Sequence, residues 1–149
     1  MALTELTQRI HAHIPITQHI GFEFIEWDAD LLTATAPLQA NRNDKGSFFA
    51  GSQVTLCTLA GWGLTTLLAE QATEEPVDVV AVNSDIHYQI PLFSDAQVAA
   101  LGFNTTLFVK RIKRRGKAKL RVEVQLLNQA GEVTSLFSAI YYARVARKL

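Results

Sequence analysis

The chain of 149 residues holds a single cysteine, Cys57, a single methionine and four prolines, and its 14 basic and 14 acidic residues cancel. One cysteine excludes an internal disulfide and a cysteine-rich metal site, which fits a reducing compartment. Without net charge there is no global pull toward nucleic acid or an anionic membrane, so any such attraction must be local. The stretch Met1 to His13 lacks the basic start and apolar block of a signal peptide and carries Glu5 and Arg9 among its apolar residues. The expectation is a cytoplasmic protein with one domain over residues 1–149, enough chain for one core and too little for two.

Charge is also missing from Gly46 to Ala69, 24 residues without a formal charge. That length could span a bilayer. Ser47, Ser52, Gln53, Thr55, Thr58, Thr65 and Thr66 stud the segment, however, and such groups are costly in hydrocarbon. A helix that is apolar or small all round is then one buried in a soluble core, running from about Phe49 to Gln71. Gly61 and Gly63 each cost such a helix about 1 kcal/mol relative to alanine, which suits a place where a sheet presses closely.

Around that helix the pattern is largely that of strands. Leu3, Leu6, Ile10 and Ile14 recur at helical spacing until Pro15 disfavours helical geometry. Gly21 to Asp28 and Leu32 to Leu38 are two extended runs joined by an acidic turn at Asp28 to Asp30. Beyond Thr73 to Pro76 the chain is expected to be all-β. Val80, Val82, Ile86, Tyr88 and Ile90 are placed on one face of the first strand. Ala96 to Ile112 forms a second extended stretch bent near Gly102 to Thr105, followed by strands over Ala118 to Leu126 and Val133 to Val145. The fold class is α+β, a long central helix wrapped by a curved antiparallel sheet.

Several polar groups compete for chemistry. Asn43 and Asp44 sit in the loop before the long helix, where both residue types also form turns. Ser47 and Ser52 read as helix caps, since neither lies in a Gly-x-Ser-x-Gly elbow. Cys57 falls mid-helix, where a thiol is usually inert packing. Asn83, Asp85, His87 and Gln89 alternate on one strand face: a solvated face, a polar network at a subunit interface, or an incomplete metal ligand set. His11, His13 and His19 show no ligand spacing. Lys110 to Arg121 packs eight of the 14 basic residues into twelve positions without an acid. Read as a cationic hairpin turning at Arg114-Arg115-Gly116-Lys117, it suits coenzyme A phosphates or an acidic carrier protein, with Arg111, Arg114 and Arg115 as bidentate partners. The other reading is a solvated turn whose lysines protect a sheet edge. Nucleic acid is disfavoured because interleaved stacking aromatics and a recognition helix are lacking.

The loop Asn43-Asp44-Lys45-Gly46-Ser47-Phe48-Phe49-Ala50-Gly51-Ser52, entering a helix that continues Leu59-Ala60-Gly61-Trp62-Gly63-Leu64, resembles the hotdog-fold thioesterases. The likeness covers nearly the whole chain. It is greatest to the thioesterase domain also found fused C-terminal to N-acetyltransferases; no acetyltransferase portion exists here, so acetyl transfer is not implied. The resemblance implies an acyl-thioester hydrolase acting on acyl-CoA or an acyl carrier protein, with no cofactor, metal, nucleic acid or membrane partner. It also implies a homodimer or a tetramer, with sites at the dimer interface near the N-terminal ends of the long helices. The free amides of Ala50, Gly51 and Ser52 are then placed to hold an oxyanion, and Phe48, Phe49, Ala50 and Trp62 to line the acyl tunnel. Many relatives carry His-Gly-Gly where this chain has Phe49-Ala50-Gly51, and a subset places an acid one to two turns later, where this chain offers Thr55, Cys57 and Thr58. That leaves Asp44 as candidate general base and Asn43 as the residue orienting water or substrate. The alternatives are a non-catalytic acyl-CoA-binding or interaction module of the same fold and, third, a hydratase or dehydratase.

Overall fold

The computed structural model describes residues 3–146, so the first two and last three residues of the expected domain lie outside the described residues. In chain order come α1 (Leu3–His13), α2 (Ile16–Ile20), β1 (Glu23–Asp28), β2 (Leu31–Ala36), a single 3-10 turn over Gln39–Asn41 and α3 (Ala50–Thr73). There follow β3 (Val77–Tyr88), β4 (Ala96–Phe103), α4 (Thr105–Arg115), β5 (Lys117–Leu127) and β6 (Val133–Val145). All strand pairs are antiparallel, in the order β1-β2-β4-β5-β6-β3, and α3 packs against five of the six strands. This is the expected helix wrapped by one sheet.

Most polar groups of the helix are satisfied within it or by the sheet, the buried Thr66 hydroxyl being the exception without a partner. Thr55, Thr58 and Thr65 donate their hydroxyls to the carbonyls of Gly51, Val54 and Gly61 at 2.9, 2.8 and 2.8 Å. Gln53 donates to the carbonyl of Phe48 and accepts from Ser135 Oγ at 2.6 Å, tying the first turn to β6. Leu56, Leu59, Leu64, Leu67 and Leu68 meanwhile fill the core, each contributing on the order of 2 kcal/mol through burial. No helix among the described residues is long and apolar enough to cross a membrane. One stripe is left uncovered: Gly51, Thr55, Thr58 and Trp62, at intervals of about one turn, are not fully buried.

Two expectations about the strands are corrected. Ala96 to Ile112 is not one bent extended stretch, because after β4 the chain turns through Asn104 (φ 52°) into α4. Phe108 and Ile112, four apart, point into the core, while Lys110, Arg111, Lys113, Arg114 and Arg115 are exposed. Arg114-Arg115-Gly116-Lys117 is accordingly a helix end rather than a hairpin turn. Gly116 (φ 70°) closes it in left-handed geometry and donates its N–H to the carbonyl of Ile112. In β3, a shift of register between Ala81 and Asn83 leaves Val82 as an extra residue. Ile86 and Tyr88 therefore share the inner face of Val77, Val79 and Ala81, and Val80 faces the other way. The N-terminal helix ends at His13, as Pro15 led one to expect, and a short second helix that the pattern did not mark follows with Pro15 at its cap position.

At Gly63 a side-chain carbon would lie within 2.6 Å of the Phe24 ring, and at Gly61 one would collide with Tyr141, whose hydroxyl holds the carbonyl of Thr58 at 2.8 Å. Helix propensity gains about 1 kcal/mol from Gly63→Ala. Overpacking against a ring and the sheet behind it costs about 1–3 kcal/mol. The variant should be less stable than wild type in urea denaturation, although the same change raises stability in an exposed helix.

Candidate functional site

The first turn of α3 is where the sequence places the candidate oxyanion donors. Its first intrahelical bond runs from the N–H of Gln53 to the carbonyl of Phe49 at 3.0 Å, so the amides of Ala50, Gly51 and Ser52 have no partner within the helix. No side chain caps them, and the expected caps do not form: the residue at the cap position is Phe49, and Ser47 is engaged by Asn43 instead. Ala50 and Gly51 are exposed and Ser52 half-buried. Three donors and the positive end of a 24-residue helix dipole thus open at the surface. Phe49, half exposed, folds its ring over Gly51, where a side-chain carbon would sit 2.5 Å from the ring edge. Glycine at 51 leaves that space for the aromatic ring.

Two anchors fix this end. Tyr88, at the end of β3, donates its hydroxyl to the carbonyl of Ala50 at 3.1 Å. Burial, with a smaller contribution from Cys57, raises its pKa, so the phenol is a donor at neutral pH. On the other side Asn41, buried, donates to the carbonyls of Ile20 and Pro37 and accepts from the N–H of Phe49 through its own carbonyl. Sequence marks Tyr88 only as a strand residue and Gln53 only as a polar group in the uncharged run, and it marks neither Asn41 nor Ser135 as an anchor. Contacts such as Gln53–Ser135, 82 residues apart, leave no mark in local sequence.

Asn43 and Asp44 lie on the loop ahead of the helix but are used differently. Asn43 Oδ1 accepts the N–H groups of Lys45 and Ser47 at 2.9 and 3.1 Å, and Nδ2 donates to Ser47 Oγ at 2.8 Å. The loop is closed further by an Arg42–Phe48 bridge. Asn43 is thus a turn former with one amide proton to spare. Asp44 is exposed at the tip and pairs with its neighbour Lys45 at 3.2 Å.

The remaining candidates are dispersed. Phe48 is buried in the core and Trp62 half-buried, with the Arg9 guanidinium 5.7 Å from its ring centre. Arg9 itself pairs with Glu70 at 2.8 Å. Asp85 and His87 bond to each other at 3.0 Å on the sheet face opposite α3, and among the described residues no three side chains cluster as a metal site. Arg111, Arg114 and Arg115 lie on α4 rather than at the start of α3. Cys57 is fully buried, and burial pushes its thiol far above the ordinary value.

Comparison with known proteins places this arrangement. A family model described as "putative thioesterase" matches residues 3–144. A crystal structure of a putative thioesterase from Shewanella oneidensis is similar at 32% identity, TM-score 0.86, over 97% of each chain. A protein from Chlorobaculum tepidum described as of unknown function is 26% identical with TM-score 0.85, over 96% of this chain and 94% of its own. A thioesterase from Haemophilus influenzae shares the fold at 16% identity and TM-score 0.80, over 99% of this chain and 94% of its own.

A thiol held this far up and out of solvent does not act as a nucleophile. Iodoacetamide at neutral pH should leave the native protein unmodified by mass spectrometry and add one group after denaturation; rapid labelling of the native chain would contradict the burial.

Proposed function

We propose, on the premise that the chain belongs to the thioesterase family whose model it matches, that it hydrolyses acyl-CoA or acyl-carrier-protein thioesters at the first turn of α3. The observation that carries this reading is the uncapped, exposed amide end formed by Ala50, Gly51 and Ser52. Water adds to the thioester carbonyl carbon, and the amides hold the oxyanion. The C–S bond then breaks, leaving a carboxylic acid and a thiolate that takes up a proton. Asp44 is the sole carboxylate between Asp30 and Glu70, and in this reading it takes the proton from the attacking water. Asn43 shapes the loop that presents it. Phe49, with Ala50 beside it and Phe48 and Trp62 behind, lines the acyl path.

The working unit in this reading is a homodimer formed through β3. The strand is 12 residues long and lies at the edge of the sheet, with Val80 56%, Val82 49% and Tyr88 48% exposed. An edge of that length and apolarity favours pairing with another strand. A two-fold axis across it would join two sheets into one and bring together the uncovered stripes of the two α3 helices.

Free thiol released from a panel of acyl-CoAs tests the activity. Turnover should fall at least tenfold in Asp44→Asn at unchanged thermal stability, whereas Asn43→Ala should lose about 1–3 kcal/mol of stability with the loop bonds. Ligand-induced thermal stabilisation without turnover would instead favour an acyl-binding module. For assembly, light scattering should give twice the 16.5 kDa chain mass, and the double variant Val80→Lys with Val82→Lys should give the single mass.

A further inference from the structure

Each free amide at the start of α3 belongs to a peptide unit whose carbonyl sits on the residue before it. The N–H groups of Ala50, Gly51 and Ser52 thus share their peptides with the carbonyls of Phe49, Ala50 and Gly51. All three carbonyls accept a hydrogen bond: Phe49 from the backbone N–H of Gln53 at 3.0 Å, Ala50 from the Tyr88 hydroxyl at 3.1 Å, and Gly51 from the Thr55 hydroxyl at 2.9 Å. A donor on a peptide carbonyl polarises the unit, and the N–H at its other end becomes a stronger donor, by about 10–30% per bond. It also fixes the peptide plane and so the direction in which that N–H points, which is what a preorganised oxyanion donor needs.

Packing alone does not account for these two hydroxyl bonds. Tyr88 is 48% exposed, so water is available to its phenol, yet the hydroxyl reaches a carbonyl 38 residues away in the chain. Thr58 and Thr65 turn back on the helix as Thr55 does, but they act on the carbonyls of Val54 and Gly61, whose peptides carry N–H groups beyond the first turn that bond within the helix. Of the three, Thr55 alone acts on a peptide with a free N–H. The sheet holds Tyr88 in register for its part. Tyr88 pairs with Ser135 on β6, and Ser135 Oγ donates to Gln53 Oε1 at 2.6 Å, so two paired strand positions grip the turn at Ala50 and at Gln53. The N–H groups of Gln89 and Ile90, next in the chain, both fall on the carbonyl of Thr134, at 2.9 and 3.2 Å, and tie down the end of β3.

We propose that Tyr88 and Thr55 are positioning residues of the oxyanion site: Tyr88 aims and polarises the Gly51 amide through the carbonyl of Ala50, and Thr55 does the same for the Ser52 amide through the carbonyl of Gly51. Under the thioesterase reading, on which this rests, neither hydroxyl touches the substrate, and Gly51 and Ser52 bear more of the oxyanion charge than Ala50.

Tyr88→Phe and Thr55→Val keep the shape of each side chain and remove its hydroxyl. In acyl-thioester hydrolysis, kcat should fall about tenfold or more in Tyr88→Phe and about threefold in Thr55→Val, with KM within about twofold of wild type. Thr55→Ser, which keeps the hydroxyl, should recover the loss seen in Thr55→Val. Affinity for a trifluoromethyl ketone analogue of acyl-CoA, hydrated to a tetrahedral diol, should fall in parallel with kcat, while a thioether analogue without the carbonyl should bind as it does to wild type. In proton–nitrogen correlation spectra the Gly51 amide proton should move upfield in Tyr88→Phe, where the ring is retained, and that of Ser52 in Thr55→Val. Equal losses toward ketone and thioether would reduce Tyr88 to a structural tie and overturn the proposal, as would an unmoved Gly51 amide. Hydrolysis by wild type that Tyr88→Phe leaves intact overturns the positioning role and keeps the thioesterase reading. A wild-type protein that neither hydrolyses an acyl thioester nor prefers the ketone overturns both.

Discussion

Burying α3 as far as Ala69 without a charge imposes two conditions on the rest of the chain. Every polar side chain on the helix must find its partner there or on the strands that cover it, and the covering strands must come close. The hydroxyls of Thr55, Thr58 and Thr65, turned back on their own helix, and the Gln53–Ser135 bond meet the first condition, which Thr66 alone of the buried threonines on α3 does not. Gly61 and Gly63, pressed by Tyr141 and Phe24, meet the second. The same burial leaves water to the first turn of the helix, to one narrow stripe and to its last turn, and the uncapped amides lie in the first.

That turn is held by neighbours rather than by a cap. A helix usually spends a serine, threonine or aspartate on its leading amides. Here Ser47 is occupied by Asn43, and the cap position is held by Phe49, whose ring lies over Gly51 and offers no oxygen. The stabilisation of a cap is given up at this end, and Asn41, Gln53 and Tyr88 hold it by bonds to neighbouring segments.

Much of the fold was legible because binary patterns follow the backbone period. The clean alternation of Ala118 to Leu126 became β5, and the helix expected from about Phe49 to Gln71 became α3, within one residue at its start and two at its end. What failed was phase. A single extra residue at Val82 exchanged the faces of β3, and a helix of three turns was hidden by basic residues that carry no periodic signal of their own; only Phe108 and Ile112 betray it. Around the site, the loop and amide residues lay where the sequence placed them, since both are local. Tyr88, Asn41 and Ser135 depend on contacts between distant segments, and a one-dimensional pattern does not carry those.

The frame around α3 is closed at both ends. At one end Glu74 and the short loop to Val77 join it covalently to β3; at the other, the phenol of Tyr88 clasps Ala50. Helix and edge strand thus form a loop of nearly equal sides, and a strand that slides or twists must drag the leading amides with it. Any body that settles on that margin of the sheet would thereby adjust the aim of three donors it never touches, making the rim of the fold a lever on its centre.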